Sequence, residues 1–442
     1  MNLHALIWLG LFAFLARWTF QRASWGVPLY MLTVYALPAK WWWGRGLLTT
    51  VGRWNLLAAL ILATAVYLDN RRQGRDSDGT ARPVLFILLL YMINATCVHF
   101  FFAANPPHSW VGLHSQWKMF ALFVLMVTVI HDKWDLELVL WSMVLLTTYV
   151  SYEVVWNDAG GHQDGRAGGN IIGSICAMSI PLGGYFLFSG NLRQKAIAAV
   201  SLVFTLEFTL QTVSRGVYLG VVGAAIWFVL EAKGRVRKYA IGGILLGVIA
   251  AYVQARSDRD FYWERFSSVF SSSEQQDVSA TSRTELWSRG LKMIGDHPLG
   301  SGYQAAFHSD LGYTYVEDVR DHQGSPHNGY IELAASWGIQ GAVLFLAAAG
   351  VAWLQSSRSI AVAMAAGDDN AALMGYCIHS SIIIFLIARF FSGSVFVEHA
   401  FWWMALAVTY QRSIKVTASI AQAVSVQGNQ RALPPRQLAH HI

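Results

Sequence analysis

The sequence predicts an all-α polytopic membrane protein with about 12 transmembrane helices and one large, partly helical loop outside the membrane. Of its 442 residues 55% are hydrophobic and only 13% are charged, and its mean hydropathy is +0.39. A soluble globular protein carries about 25% charged residues. The chain also contains 19 Trp. This composition excludes a soluble globular protein.

Apolar runs recur along the chain at the length of a membrane span. A spanning helix needs about 20 mostly apolar residues. The runs are 4–20, 25–43, 54–69, 83–103, 117–131, 135–156, 170–189, 196–213, 216–231, 239–254, 338–355, 372–391 and 395–411. Several are short, so we expect about 12 helices. The first run lacks a basic n-region and a small-residue cleavage site, which predicts a retained helix and no signal peptide.

The distribution of Lys and Arg predicts the orientation, because short basic loops stay in the cytoplasm. The basic segments are 70–82, 190–195, 232–238 and the tail after 411. The alternate loops 104–116 and 392–394 contain no Lys or Arg, and 157–169 contains only Arg166. We therefore expect the polar interval 256–328 to face outward. The net charge of +6 comes mainly from the basic loops that set the orientation in the membrane. We therefore expect membrane lipids as partners and no nucleic acid.

The runs divide the chain into four parts. These are N-terminal helices in 1–255 (about ten), the outer loop 256–328, C-terminal helices in 329–411 and a cytoplasmic tail at 412–442 that we expect to be disordered. The side of the amino terminus stays open, because Arg17 and Arg22 draw the first loop inward. The cluster Trp41-Trp42-Trp43 is typical of an interfacial aromatic belt, with substrate stacking as the alternative.

Arg215 lies between two apolar runs that leave only three residues for a turn. Its guanidinium is therefore expected at or just below the outer membrane interface. An Arg at membrane depth is expensive and by default marks a function or a buried partner. Gly216 suggests that the backbone there lies close to another group. We predict that Arg215 binds an anion.

Arg166 is a secondary candidate for the same role. It lies within the Gly-rich loop 157–169, shortly before a predicted helix. Glycines let a backbone approach a ligand, and a helix N-terminus offers unpaired N–H groups to an anion. A flexible turn with a solvated Arg is an equally good interpretation.

The loop 256–328 contains the pattern of a capping box, Ser282-Arg283-Thr284-Glu285. It predicts a helix from Ser282 to about Ile294, with Arg283 on its first turn. The free backbone N–H groups of a first helical turn favour the binding of a phosphate, and so does a guanidinium, which can form two parallel hydrogen bonds to it. Arg289 is six positions further and cannot share that face. We expect Arg283 to bind the ligand and Arg289 to be structural.

His327 is the candidate proton-transfer group. It lies between Pro326 and Asn328, just before a predicted helix that begins near Ile331 and that Gly338 bends into the membrane. Histidine titrates near neutral pH and is the commonest general base. His297, His308 and His322 lack such framing. No H-E-x-x-H or C-x-x-C pattern occurs, and the pairs Asp76/Asp78 and Asp258/Asp260 lie among arginines, so we expect no metal site and no cofactor.

A set of motifs occurs in order in the second half of the chain. They are Ser214-Arg215-Gly216, Ser282-Arg283-Thr284-Glu285-Leu286-Trp287, Asp296-His297-Pro298-Leu299-Gly300-Ser301-Gly302, His327-Asn328-Gly329-Tyr330, Glu332 and Trp337-Gly338-Ile339-Gln340-Gly341. This set resembles the O-antigen ligase and polymerase superfamily, most closely the O-antigen ligases of Gram-negative bacteria. The resemblance covers roughly 165–341, and the overall helix plan fits the whole chain.

The resemblance implies a GT-C-type glycosyltransferase of the bacterial inner membrane. Its donor is expected to be O-antigen on undecaprenyl diphosphate, and its acceptor the lipid A-core oligosaccharide on the periplasmic side. By the same analogy Arg215 and Arg283 hold the diphosphate, with Arg166 and Arg289 as further candidates, and His327 activates the acceptor hydroxyl. Many GT-C enzymes hold a metal with a D-x-D in the first outer loop. This sequence lacks one there, so arginines are expected to replace the cation.

Three other readings stay open. An O-antigen polymerase and a protein O-oligosaccharyltransferase share these motifs and differ in acceptor. A lipid-linked sugar flippase is the alternative from a different class. Such a transporter is expected to have internal repeats and polar residues at mid-membrane, and the sequence has no convincing repeat. The enzyme, and within it the ligase, is the favoured interpretation.

Overall fold

A computed structural model describes residues 3–44, 53–73, 79–156, 167–212, 214–257, 278–305, 309–315, 327–393 and 398–431. Within these ranges the regular structure is helical and contains no β-strand. The predicted all-α class is therefore confirmed for the described part of the chain.

The described helices are labelled α1 to α15 in chain order. They are α1 (Leu3–Thr19), α2 (Gly26–Tyr35), α3 (Trp54–Gln73), α4 (Arg82–Phe102), α5 (Pro106–Val129), α6 (Lys133–Trp156), α7 (Ala167–Ser189), α8 (Leu192–Gln211), α9 (Arg215–Glu231), α10 (Gly234–Ser257), α11 (Val278–Asp296), α12 (Asp310–Tyr313), α13 (Gly329–Ala365), α14 (Asp369–Phe391) and α15 (Glu398–Arg431). Single 3₁₀ turns lie at Ala23–Trp25, Pro38–Lys40 and Trp42–Gly44.

Six of the described helices are long and apolar enough to cross a membrane, namely α4, α5, α6, α7, α13 and α14. The helix α1 and the part of α3 at Trp54–Asp69 are apolar but shorter. These helices are consistent with a polytopic membrane protein. The count of about 12 spans and the GT-C architecture stay predictions.

The helix α14 lies at the centre of the packing. In its most apolar stretch 78% of the residues are buried, against 33% to 56% in the other five candidate spans. It packs against α7, α9, α13 and α15. On α9, a Cβ added to Gly216 would lie 2.7 Å from the Cβ of Phe391, and one added to Gly220 would lie 2.9 Å from the carbonyl oxygen of Ile384. The start of α9 therefore contacts the end of α14.

The predicted span at 25–43 is wrong. The helix α2 ends at Tyr35 after ten residues, which is about 15 Å at 1.5 Å per residue. Leu37 has extended dihedral angles, because a residue before a proline is disfavoured in a helix. Trp41 and Trp43 are 4% and 3% exposed, so these two do not form an interfacial belt. Their indole N–H groups donate within the protein, to the Tyr35 carbonyl and the Tyr149 hydroxyl.

The helix α13 breaks at Gly338, which has φ 79° and ψ 167°. This confirms the bend expected there. At the break, backbone N–H and C=O groups of α13 lose their hydrogen-bond partners within the helix. Residues 297–305, named the docking segment, provide replacement partners. Ser301 N donates to Ala335 O (3.1 Å), Gly302 N to Ser336 O (3.0 Å), and Ile339 N to Pro298 O (2.9 Å). The docking segment is thereby fixed to the first half of α13.

The C-terminal part differs from the predicted boundary at 411. The helix α15 continues to Arg431, where the sequence predicted a disordered tail from 412. Arg412 is buried, and its Nη1 donates to the carbonyl oxygens of Val127 and Ile130. This anchors the helix beyond residue 411. Residues 432–442 lie outside the described part of the chain.

Candidate functional site

The C-terminal turn of α14 is where the elements that carry the candidate residues meet. This turn, residues 386–391, is named the α14 terminal turn. The Tyr330 hydroxyl, at the start of α13, donates to Leu386 O (2.8 Å). The ring of Trp287, on α11, lies 5.3 Å from that of Phe390 between centroids, edge to face. With the first turn of α9 packed against its last residue, the α14 terminal turn contacts three separate elements of the site.

Arg215 is the first residue of α9 and is half-buried. Its position confirms the expected turn between two helices, since α8 ends at Gln211. A residue at this position lies beside the unpaired N–H groups and the positive dipole of a helix start. The close contact at Gly216 places that helix start against the α14 terminal turn. The spacing of the two apolar runs therefore located this residue correctly.

The helix α11 corrects the prediction for Arg283. It begins at Val278, four residues before Ser282, so the expected capping box is wrong. Arg283 lies on the second turn and not among the free N–H groups of the first. Asp277 precedes the observed start, and Asp is a preferred N-cap residue, which is a competing signal in the same sequence.

Arg283 lies on α11 four residues, about one helical turn, before Trp287. The Trp287 ring is the α11 group that packs against Phe390 of the α14 terminal turn. Gly290 lets the same helix approach α13, because a Cβ there would lie 2.4 Å from a methyl carbon of Ile331. Arg289 is mostly enclosed, and its Nη2 lies 4.0 Å from Glu285 Oε2. A carboxylate one turn away thus offsets part of the Arg289 charge.

A shallow, open depression lies along α11, lined by Trp287, Ser288, Leu291 and Lys292. The Trp287 ring at its edge also packs against Phe390. The depression therefore combines apolar surface with one ammonium group.

His327 has an unusual backbone conformation. Its φ is 48°, in the left-handed region that non-glycine residues rarely adopt. Asn328 is the N-cap of α13, and its side-chain oxygen accepts from the N–H groups of Tyr330 (3.0 Å) and Ile331 (3.2 Å). The cap holds the helix start immediately after His327.

A polar network connects the docking segment to α13. Gln304 also has a positive φ, 49°, and its Nε2 donates to Glu332 Oε1 (3.0 Å) while its N–H donates to Ser336 Oγ (3.1 Å). Its Oε1 lies 3.3 Å from His108 Nε2 on α5. Burial, and secondarily Glu332, raise the pKa of Tyr303 to about 12, so this phenol stays protonated at neutral pH. Among the described residues, His327 and Gln304 are the non-glycine residues with positive φ.

Arg389 is a residue that the sequence analysis missed. It lies in the α14 terminal turn and is 0% exposed. Its Nη2 donates to Ser174 Oγ on α7 (2.9 Å) and its Nη1 to Gly393 O (3.3 Å). An ionisable residue within the apolar run 372–391 was the available signal. The rule that singled out Arg215 applies equally to Arg389.

Several sequence candidates lie beyond these contacts. Arg166, His308 and His322 are outside the described residues. Within the described ranges, no group of three or more His, Cys, Asp or Glu side chains is placed to hold a metal ion.

Residues 200–346 match the family model described as O-Antigen ligase. The match covers about a third of the chain and supports a relationship to the O-antigen ligase/polymerase superfamily. The matched region of the superfamily runs from α8 into the second half of α13 and contains Arg215, Arg283, Arg289 and His327. It supports a ligase- or polymerase-type activity on lipid-linked polysaccharides. A search of curated proteins found no match.

Proposed function

We propose that the chain is an O-antigen ligase. It transfers O-antigen polysaccharide from undecaprenyl diphosphate to the lipid A-core oligosaccharide, at the periplasmic face of the bacterial inner membrane. The observation that carries the proposal is the meeting of α9, α11 and α13 at the α14 terminal turn, with Arg215, Arg283 and His327 on these three elements. All three residues lie in the part of the chain that matches the family.

The donor diphosphate binds at the start of α9 and along α11. Arg215 and Arg283 form bidentate hydrogen bonds with its phosphate oxygens, which a guanidinium fork suits. The N–H groups at the start of α9 add to the attraction. Arg166 and Arg289 are further cations for the same group. The lipid tail stays in the bilayer while the sugar stands in water, so the cations are required at the membrane surface.

Transfer is a displacement at the anomeric carbon of the donor sugar. The acceptor hydroxyl oxygen forms the new bond to this carbon, and the bond from the carbon to the phosphate oxygen breaks. The electron pair leaves with the undecaprenyl diphosphate, whose added charge the arginines stabilise. His327 takes the proton of the hydroxyl as general base. Its fixed backbone, between the docking segment and α13, keeps the imidazole oriented toward the acceptor.

The reaction requires no metal ion in this proposal, because guanidinium groups take the place of a cation at the diphosphate. The fold is assigned to the GT-C class on the same basis, as a bundle of membrane helices with its chemistry at one end. Both assignments rest on the arrangement of Arg215, Arg283 and His327.

An in vitro transfer assay tests the proposal. The purified full-length protein is supplied with undecaprenyl diphosphate-linked O-antigen and, in separate reactions, lipid A-core, a peptide or a second donor molecule. A ligase attaches polysaccharide to lipid A-core alone. Polysaccharide attached to the peptide would identify the protein as a protein O-oligosaccharyltransferase. Elongation of the donor polysaccharide would identify it as a polymerase. Donor crossing a vesicle membrane without any transfer would favour a flippase.

A further inference from the structure

We propose that Arg389 is a positioning residue for the transfer reaction, acting with Glu332. It holds the elements that carry the donor-binding arginines and the general base in one arrangement, without contacting the substrates. This inference rests on the proposed function. It adds a residue that lies beyond the matched region 200–346.

The first support is the enclosure of the guanidinium. Arg389 is 0% exposed, and its two terminal nitrogens donate to Ser174 on α7 and to Gly393 after α14. The carbon of the guanidinium lies 5.0 Å from the centroid of the Phe385 ring. Each terminal nitrogen donates to one protein group. The side chain therefore connects α14 to α7 and to the residue that follows α14 by two positions.

The second support is a buried charge of opposite sign. Glu332, on the first turn of α13, is 1% exposed, and its Oε1 accepts the hydrogen bond from Gln304. The Tyr330 hydroxyl on the same turn donates to Leu386 O of the α14 terminal turn, which carries Arg389. Two buried charges are costly to desolvate, and well-packed apolar residues often serve stability as well or better. Buried charges on these two connected turns are best explained by what they fix, namely α14 against the start of α13 and the docking segment.

The third support is what lies next to Arg389 in the chain. Phe390 contacts Trp287 of α11, and Phe391 contacts the start of α9 at Gly216. Arg389 itself contacts α7, the helix that follows Arg166. Rotation or displacement of this one turn would move all of these contacts together. A misplacement of about 1 Å can cost about 100-fold in rate. A shift of this turn is therefore expected to lower the rate of transfer.

The test compares two buried arginines in the full-length protein. Arg389→Met removes the charge at the α14 terminal turn, and Arg412→Met removes one from the far part of α15, where the guanidinium also donates to backbone carbonyls. Transfer is measured as kcat and as KM for the donor, with thermal unfolding in parallel. Arg389→Met should lower kcat by about 10- to 100-fold with a nearly unchanged donor KM. Arg412→Met should lower the unfolding temperature and leave kcat of the folded protein near wild type.

Two milder variants keep the test decisive if Arg389→Met folds poorly. Arg389→Lys retains the charge but loses the fork, so its kcat should lie between those of wild type and Arg389→Met. Glu332→Gln keeps the size of the side chain and removes its charge. Combined with Arg389→Met, it should add less than its separate effect, because the two residues act as a pair.

Three results would overturn the proposal. A rise in donor KM at constant kcat would make Arg389 a donor-binding residue. If kcat is unchanged in Arg389→Met and Arg389→Lys, Arg389 has only a structural role. The same conclusion follows if Arg412→Met lowers kcat as much as Arg389→Met does. Wild-type protein without transfer to any acceptor would remove the proposed function, and this inference with it. If the wild-type protein is active and the variants have a normal rate, only the inference about Arg389 fails and the proposed function stands.

Discussion

The protein encloses histidine in two contrasting ways. His379, in the middle of α14, is 1% exposed, stacks on Trp353 at 3.7 Å between ring centroids, and bonds to the Ser356 hydroxyl. His327 is half-buried, has a left-handed backbone, and directly precedes Asn328, the N-cap of α13. The interior histidine lies among neighbours from packed helices, whereas His327 lies at the start of a helix in a strained backbone conformation.

The difference shows which signals mark a site. Burial with a hydrogen bond is what polar groups inside a membrane protein generally require, and the Nε2 of His379 has such a bond to Ser356. A left-handed non-glycine residue costs about 1–3 kcal/mol and persists only where its surroundings enforce it. Backbone strain together with several converging elements therefore distinguishes His327 from His379.

The sharpest test of this contrast substitutes each histidine by alanine. His327→Ala should reduce transfer by about 10²- to 10⁴-fold, the usual contribution of a positioned base. His327→Gln keeps a hydrogen bond but cannot take up the proton, so it should fail nearly as badly. Donor binding should persist in both variants. Transfer is followed by the appearance of polysaccharide on lipid A-core.

His379→Ala is the matched control. It removes a buried ring and should lower the thermal unfolding temperature, while the folded fraction keeps a near-normal rate. His308→Ala and His322→Ala should also be close to wild type. Loss of donor binding in His327→Ala would reassign His327 to donor recognition, and an equal loss of activity in His379→Ala would erase the contrast.

The next largest effect is expected at the arginines. Arg215→Lys and Arg283→Lys keep the charge but lose the bidentate fork. Transfer should fall by about 10- to 100-fold, since a hydrogen bond to a charged group contributes about 1.5–3 kcal/mol. Arg289→Lys should be milder, because Arg289 pairs with Glu285 on its own helix. Initial rates at fixed acceptor concentration give the ranking, and equal tolerance at all three positions would place the diphosphate elsewhere, with Arg166 the next candidate.

A smaller effect is expected from the docking segment. Gly300 has φ 93°, and a Cβ there would lie 2.4 Å from the Gly338 nitrogen. Gly300→Ala should therefore displace the segment, lowering the unfolding temperature and reducing transfer by about two- to tenfold. Gly350→Ala, in the second half of α13, is the control, since its added Cβ meets nothing within 4 Å. Equal behaviour of the two variants in thermal unfolding and in the transfer assay would show that the docking is unimportant.

No effect is expected from chelation. If guanidinium groups replace a cation at the diphosphate, transfer should proceed unchanged in EDTA. Loss of activity in EDTA, with recovery after addition of Mg²⁺ or Mn²⁺, would contradict this and bring Asp258 and Asp260 back as candidate ligands. The transfer assay with and without EDTA decides the point.

The sequence predicted most of the described helices because an apolar run of sufficient length has few alternatives to a helix. It failed at 25–43, where Pro38 outweighs hydropathy. It also misplaced the start of α11, since two N-cap signals, Asp277 and Ser282, compete within six residues. Local patterns cannot rank such signals when packing against α13 and α14 contributes to the choice.

A candidate residue was recognisable where it interrupts a pattern. Arg215 breaks an apolar stretch, and Pro326 and Asn328 frame His327, so the sequence singled out both as candidates. Arg389 also interrupts an apolar run. Because it lies near the end of the run 372–391, it was counted as part of the predicted span and was not considered separately. The roles of Gln304 and Glu332 depend on a contact across 28 positions. Neither spacing nor composition encodes such a contact.

The break at Gly338 has a consequence for biogenesis. The carbonyl groups of Ala335 and Ser336 depend on N–H groups of the docking segment, which is synthesised before α13. If the docking segment were left on the opposite face of the membrane, these carbonyls would stay unpaired, at about 1–3 kcal/mol each. Pairing of these carbonyls therefore favours the topology in which the docking segment and the first half of α13 lie on the same side of the membrane.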